Sequence, residues 1–162
     1  MYFYENREIL RLEPLTSAHA RIMYPKLLNK DLYRYIEDDP PRSIEELKKE
    51  YENKYARWNS EDPRWRNWII LIGNKAAGYV QATIMKDEAI LGWVVFNEYQ
   101  GRGVGTNAVS AMIKEIISDT GIKKFICTIE KNNIPSRKLA RKLDFNFSYK
   151  NKNDIIYRLM II

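Results

Sequence analysis

Three glycines at alternate positions, in Gln100-Gly101-Arg102-Gly103-Val104-Gly105-Thr106, separate a run with strand character from a run with helix character. Upstream, 89–96 is a nearly continuous apolar stretch. Downstream, Val109, Met112, Ile113, Ile116 and Ile117 recur at helical spacing, with Asn107, Ser110, Lys114 and Ser118 on the other side, until Gly121 stops the pattern. Glycines at such a turn remove side chains where a ligand would approach the main chain. The unpaired N–H groups of the first helical turn, reinforced by the helix dipole, then form a site for an anion such as a diphosphate. Any fold for this chain must put a sheet in front of this turn and a helix behind it.

The flanking patterns supply both. Ahead of the turn, 68–72, 78–85 and 89–96 are apolar runs broken by Gly73-Asn74-Lys75 and Lys86-Asp87, which predicts an antiparallel meander. Residues 8–13 alternate as a strand. Thr16 or Ser17 then caps a helix with Ile22, Met23 and Leu27 as its apolar positions and Pro25 bending it. Asp38-Asp39-Pro40-Pro41 is a loop, and Ser43 followed by Glu46 forms a capping box that opens a helix over 43–58. Beyond Gly121 the chain predicts a strand at 125–129, a helix at 135–143 with Leu139, Ala140 and Leu143 inward, and a hairpin over 146–162 turning at 150–153. One domain over 1–162 follows, with a mixed α/β sheet and helices on its faces.

Composition narrows the function classes. No stretch reaches the roughly 18 apolar residues a membrane helix requires, and the N-terminus, with Glu5, Arg7 and Glu8 close behind Met1, has no signal-peptide core. The expectation is a soluble cytoplasmic protein. Cys127 is the sole cysteine and His19 the sole histidine, so neither an internal disulfide nor a zinc site is expected, and Cys127 within the apolar run 125–129 reads as a buried thiol rather than a nucleophile. Residues 1–100 hold 15 Lys/Arg against 16 Asp/Glu, whereas residues 101–162 hold 12 against 5. A basic C-terminal part suits a phosphate-bearing ligand, nucleic acid or simply a solvated surface.

The glycine run excludes two phosphate loops. A Walker A loop requires Lys-Ser/Thr after its last glycine, but Gly105 is followed by Thr106-Asn107. A dinucleotide fingerprint requires Gly-x-Gly-x-x-Gly in an early βαβ unit, not Gly-x-Gly-x-Gly after a meander. The run does resemble the Q/R-x-x-G-x-G/A motif of the GNAT N-acetyltransferases. Asn133-Ile134-Pro135-Ser136 with Lys142-Leu143-Asp144-Phe145 resembles that family's later Asn-x-x-Ser and Lys-Leu-Gly-Phe element. Leu10-Arg11-Leu12-Glu13-Pro14-Leu15-Thr16 looks like the opening of its ribosomal-protein alanine acetyltransferase subgroup. The resemblance implies an α/β (α+β) fold with a largely antiparallel central sheet of about seven strands flanked by four helices.

It also implies an acetyltransferase that passes an acetyl group from acetyl-coenzyme A to an amine by direct attack in a ternary complex. In the family, main-chain groups matching Trp93, Val94 and Val95 pair with the pantetheine arm, amides of Gln100, Gly101, Arg102, Gly103, Val104, Gly105 and Thr106 hold the pyrophosphate, and the residue matching Asn133 contacts the arm. Lys138 and Arg102 are then candidates for the coenzyme's phosphates. The tyrosine that many members carry as general acid is replaced here by Ala140, leaving Ser136 as the candidate acid and Glu130 as a candidate base. Asp144 stands in place of the usual glycine and Asn97 in place of the usual proline.

Glu37, Asp38 and Asp39, with Trp65, are the candidate acceptor site, since carboxylates attract a cationic amine and an aromatic lines a pocket well. The acceptor stays open among a protein N-terminal amine, a metabolite amine, and an antibiotic amine or hydroxyl. A non-catalytic coenzyme-binding regulator is the alternative from another class. The expected partners are acetyl-coenzyme A and an amine, with no metal and no membrane; a homodimer is allowed, and nucleic acid is disfavoured because no helix-turn-helix or aromatic-basic RNA motif is present.

Overall fold

The computed structural model describes residues 4, 7–62 and 64–162; Met1 and Glu5, used in reading the N-terminus, lie outside them. The chain runs through β1 (Leu10–Pro14), a 3-10 turn (Ser17–His19), α1 (Ala20–Leu27), a second 3-10 turn (Lys30–Arg34) and α2 (Ile44–Trp58). The meander follows as β2 (Trp65–Ile72), β3 (Lys75–Ile84) and β4 (Glu88–Val95), then a 3-10 turn (Asn97–Tyr99) and α3 (Val104–Thr120). β5 (Lys124–Glu130), α4 (Ile134–Lys142), β6 (Asn146–Lys150) and β7 (Asp154–Met160) complete it. The strands form one sheet in the order β1-β2-β3-β4-β5-β7-β6, antiparallel at every pairing except β4 with β5.

Both faces of this sheet are covered, which is why 68–72 reads as an unbroken apolar run rather than an alternating one. Trp68, Ile70 and Ile72 enter a core shared with Val104, Met112 and Ile116 of α3. Ile69 and Leu71 enter a second core with Met23 and Leu27 of α1 and Leu47 and Tyr51 of α2. On α1 the expected inward positions divide: Met23 and Leu27 are buried, but Ile22 is exposed. The Ser43 hydroxyl accepts from the Glu46 N–H at 3.1 Å, as a cap should; the return bond from the Glu46 side chain is not formed. β2 starts three residues earlier than its apolar run, because Arg66 is buried in an ion pair with Asp119 (2.6 Å), its guanidinium above the Trp58 ring.

Asp144, in place of the usual glycine, keeps the left-handed conformation (φ 65°) that ends α4. The Asp144 N–H bonds the Arg141 carbonyl and the Phe145 N–H bonds the Ala140 carbonyl, the paired bonds of a Schellman stop. Asp is among the few residues that adopt this conformation without large cost.

Candidate functional site

The one parallel pairing in the sheet is also its shortest. β4 and β5 are in register only at Glu88 with Lys124, Ala89 with Phe125 and Ile90 with Ile126. Beyond Ile90 the two strands separate, and on its β5 side the main chain of β4 has no strand partner. β3 follows β4 through this region to Gly78 opposite Val95. Gly78 sits at an irregularity between Ile70 and Leu71 of β2, and a Cβ there would lie 2.1 Å from the Val94 carbonyl oxygen, so only glycine fits.

The splay opens into a cleft of about 1070 Å³, one wall of which comprises Trp93, Val94 and Val95 of β4 together with Gln100, Gly101, Gly103, Val104, Gly105 and Thr106. Gly101 and Gly103 have φ of 76°, the left-handed conformation that turns the chain from the sheet into α3. Gly103 is the N-cap and offers no side chain, so the N–H groups of Val104, Gly105 and Thr106 lack a partner among the described residues and face an anion-favouring end of the helix dipole. The Gln100 side-chain amide donates to the Val95 carbonyl at 3.0 Å, tying the turn to the end of β4.

Gly105 has a different task. A Cβ there would stand 2.6 Å from Leu139 Cδ1 and 3.1 Å from Val95 Cγ2, so its missing side chain lets α3 pack against α4 and β4 rather than making room for a ligand. Arg102 does not line the cleft; its guanidinium lies over the Tyr99 ring, 5.9 Å from the centroid. The cations that do line it are Arg34, Lys138 and Lys142.

Across the cleft, Glu130, Asn133 and Ser136 are brought together at the end of β5 and the start of α4. Asn133 caps α4, its side-chain oxygen accepting the Ser136 N–H at 3.3 Å, and Pro135 stands in the first turn, where its lacking N–H costs nothing. Ala140, where the resemblance would set a tyrosine, is fully buried. Cys127 also borders the cleft floor but is 1% exposed, and desolvation pushes its thiol up to about 12. It is a protonated thiol at neutral pH, without the thiolate a nucleophile requires.

The acceptor expectations fare unevenly. Glu37 lines the cleft; Asp38 and Asp39 do not, although Asp38 acts electrostatically on Tyr33 and Tyr79. Burial first, and then Asp38 and Glu50, raise the Tyr33 phenol; burial, then Tyr33 and Asp38, raise that of Tyr79. Both are therefore neutral hydroxyl groups. Trp65 is misassigned: its register with Thr83 puts it near the β3–β4 hairpin, at the opposite end of the sheet from the Gly78–Val95 end where the cleft opens, and it is flanked by the guanidinium groups of Arg57 and Arg64 at 5.6 Å.

Tyr79, Gln81, Asp31 and Tyr35 line the cleft without having been singled out in the sequence. The only available signal was the alternation of β3, in which Tyr79 and Gln81 fall on one face. A smaller groove of about 510 Å³ lies by β6 and α4, but it has neither the glycine turn nor Ser136. Among the described residues no group of three or more His, Cys, Asp or Glu is gathered as a metal site, and no helix is long and apolar enough to cross a membrane.

A family model for the acetyltransferase (GNAT) domain matches residues 10–146. A comparison with curated protein sequences finds no match. Among solved structures, the microcin C7 self-immunity acetyltransferase in complex with acetyl-CoA and AMP is similar, with a TM-score of 0.83 and 20% identity over 96% of this chain and 94% of that one. A ribosomal alpha-N-protein acetyltransferase in complex with coenzyme A gives 0.81 and 19% over 94% of each. A ribosomal-protein alanine acetyltransferase from Vibrio fischeri gives 0.80 and 16% over 98% of this chain and 95% of that one.

Proposed function

Because the chain belongs to the acetyltransferase (GNAT) family, we propose that it binds acetyl-coenzyme A in the cleft between β4 and β5 and transfers the acetyl group to an amine by direct attack in a ternary complex. The observation that carries this reading is the coincidence, in one cleft, of unpartnered β4 main chain with the unpaired amides that open α3. An amide-bearing arm suits the former as an added strand would, and a pyrophosphate suits the latter. Lys138 and Lys142 add positive charge on the facing wall.

The chemistry asks the chain to hold a neutral amine against a thioester carbonyl and to return a proton to the departing thiolate. Ser136 is the hydroxyl on the cleft wall suited to the second task, and Glu130 is a carboxylate on the same wall suited to accept the amine's proton. Asp31 and Glu37, with the hydroxyl of Tyr35 and the neutral phenol of Tyr79, suit a cationic amine that sheds its proton on entry. The acceptor class is a protein N-terminus or a small-molecule amine, in keeping with the ribosomal-protein acetyltransferases among the similar structures. The reading extends to a cytoplasmic location, where a free buried thiol such as Cys127 stays reduced.

Two measurements test it together. Acetyl-coenzyme A at 100 times its dissociation constant should raise the unfolding free energy by about 2.7 kcal/mol, seen as a higher melting temperature. Free thiol should appear when amines are added, among them spermidine and short peptides with free N-termini. No melting shift at millimolar acetyl-coenzyme A would refute the binding site; a shift with no release of coenzyme A thiol in the presence of any amine would make the chain a binding module.

A further inference from the structure

The segment joining α1 to α2 roofs the acceptor end of the cleft, yet very little holds it there. Residues 36–42 make no backbone–backbone hydrogen bond among the described residues. The segment is anchored at its start, where Leu32 is buried and the Tyr33 hydroxyl donates to the Leu27 carbonyl at 2.7 Å. Past that anchor, one side-chain bond reaches across the cleft: the Tyr35 hydroxyl donates to the carbonyl oxygen of Asn132 at 3.2 Å, 97 residues away. Tyr35 and Asn132 both line the cleft.

The acceptor atom of that bond is a pivot. The same Asn132 carbonyl accepts the Ile134 N–H at 3.0 Å, closing a three-residue turn centred on Asn133 (φ −80°, ψ 75°), the geometry of an inverse γ-turn. Asn133 in turn caps α4 through the Ser136 N–H. Tyr35 thus grips the carbonyl whose orientation is fixed by the turn that carries Asn133 and leads directly to Ser136. A ligand that fixes this turn also fixes the acceptor of the Tyr35 bond, and a loosened turn releases it.

We infer that Tyr35 is a positioning residue that latches the acceptor loop onto the Asn133 turn, so that filling the coenzyme side of the cleft closes its acceptor side. The coupling rests on the coenzyme reading above; the latch itself rests only on the contact. One solvent-accessible hydrogen bond shifts an open–closed equilibrium by roughly two- to tenfold, which suits a roof that must admit substrates and then close over them.

Trypsin cutting after Arg34, at the base of the roof, reads the open population directly. Tyr35→Phe keeps the ring and deletes the bond, and should speed that cut by roughly two- to tenfold while cutting after Lys150 and Lys152, in the distant β6–β7 turn, is unchanged. Saturating coenzyme A should slow the Arg34 cut in the wild type by a similar factor. In Tyr35→Phe it should not, although coenzyme A binds the variant within about threefold of the wild-type affinity. Equal cutting of the two unliganded proteins overturns the latch, and equal protection of both by coenzyme A overturns the coupling. Failure of the wild type to bind coenzyme A at all would instead refute the coenzyme reading, and the coupling with it, leaving the latch to stand or fall on the unliganded rates.

Discussion

Two walls of the cleft are built on opposite plans. The wall of β4 and α3 is fixed by main chain and packing: left-handed glycines at 101 and 103, Gly105 pressed between Leu139 and Val95, and a 17-residue helix with seven buried residues. The wall formed by the α1–α2 segment has a buried leucine, one tyrosine bridge and exposed carboxylates. A wall that cannot move suits a ligand that never changes, whereas a lightly held one is easily altered with little loss of stability. The comparison teaches where to expect invariance of chemistry and where to expect choice of substrate.

The sharpest way to break that comparison is to overfill its rigid wall. Gly105→Val puts two methyl groups beyond a Cβ that already meets Leu139, and should cost about 3 kcal/mol, lowering the melting temperature by roughly 6–12 °C. Gly103→Ala meets no nearer atom than Asn107 Nδ2 at 3.9 Å and pays only for its φ of 76°, about 1–2 kcal/mol. Calorimetry that ranked the two the other way would show that the glycines' roles are exchanged.

The wall of β5 and α4, which faces both, comes next. If Ser136 returns the proton to the thiolate, Ser136→Ala should lower turnover by roughly 10²-fold while the melting temperature and coenzyme affinity stay unchanged. Wild-type turnover in the variant would reduce the serine to a first-turn helix residue. The smallest effects belong to the lightly held wall. With spermidine as a cationic probe, Glu37→Gln, which alters a cleft-lining carboxylate, should raise the Michaelis constant by roughly two- to fivefold, and Asp38→Asn by less, both effects shrinking as salt is added. Equal effects of the two would mean that only the general field of the loop matters.

Much of the rigid wall was legible because its signals are local. Glycine at a left-handed position, Gly121 stopping α3, and Asn133 followed by proline at the start of α4 each announce themselves within a few residues. The order of strands and helices along the chain followed from apolar periods that the structure keeps. What the sequence could not yield were relations across distance. That position 105 must be glycine for packing, with Leu139, 34 positions later, against it, is one such relation. The need for glycine at 78 arises from an irregularity in its pairing with β2, which no local pattern encodes. Trp65 suited a pocket by its chemistry, and only strand register reveals that it sits at the wrong end. The Tyr35 bridge joins residues with no shared motif.

The gap between β4 and β5 has one more consequence, for how such chains diverge. A surface that offers peptide groups is indifferent to the side chains those groups carry, since each residue presents the same donor and acceptor. Beyond Ile90, β4 can therefore exchange its side chains without erasing what it offers, provided that the strand stays extended and its partner stays away. Drift is constrained there by backbone shape, as at Gly78, far more than by residue identity. That is how a chain with 16% of its residues in common with this one can still fold around the same sheet.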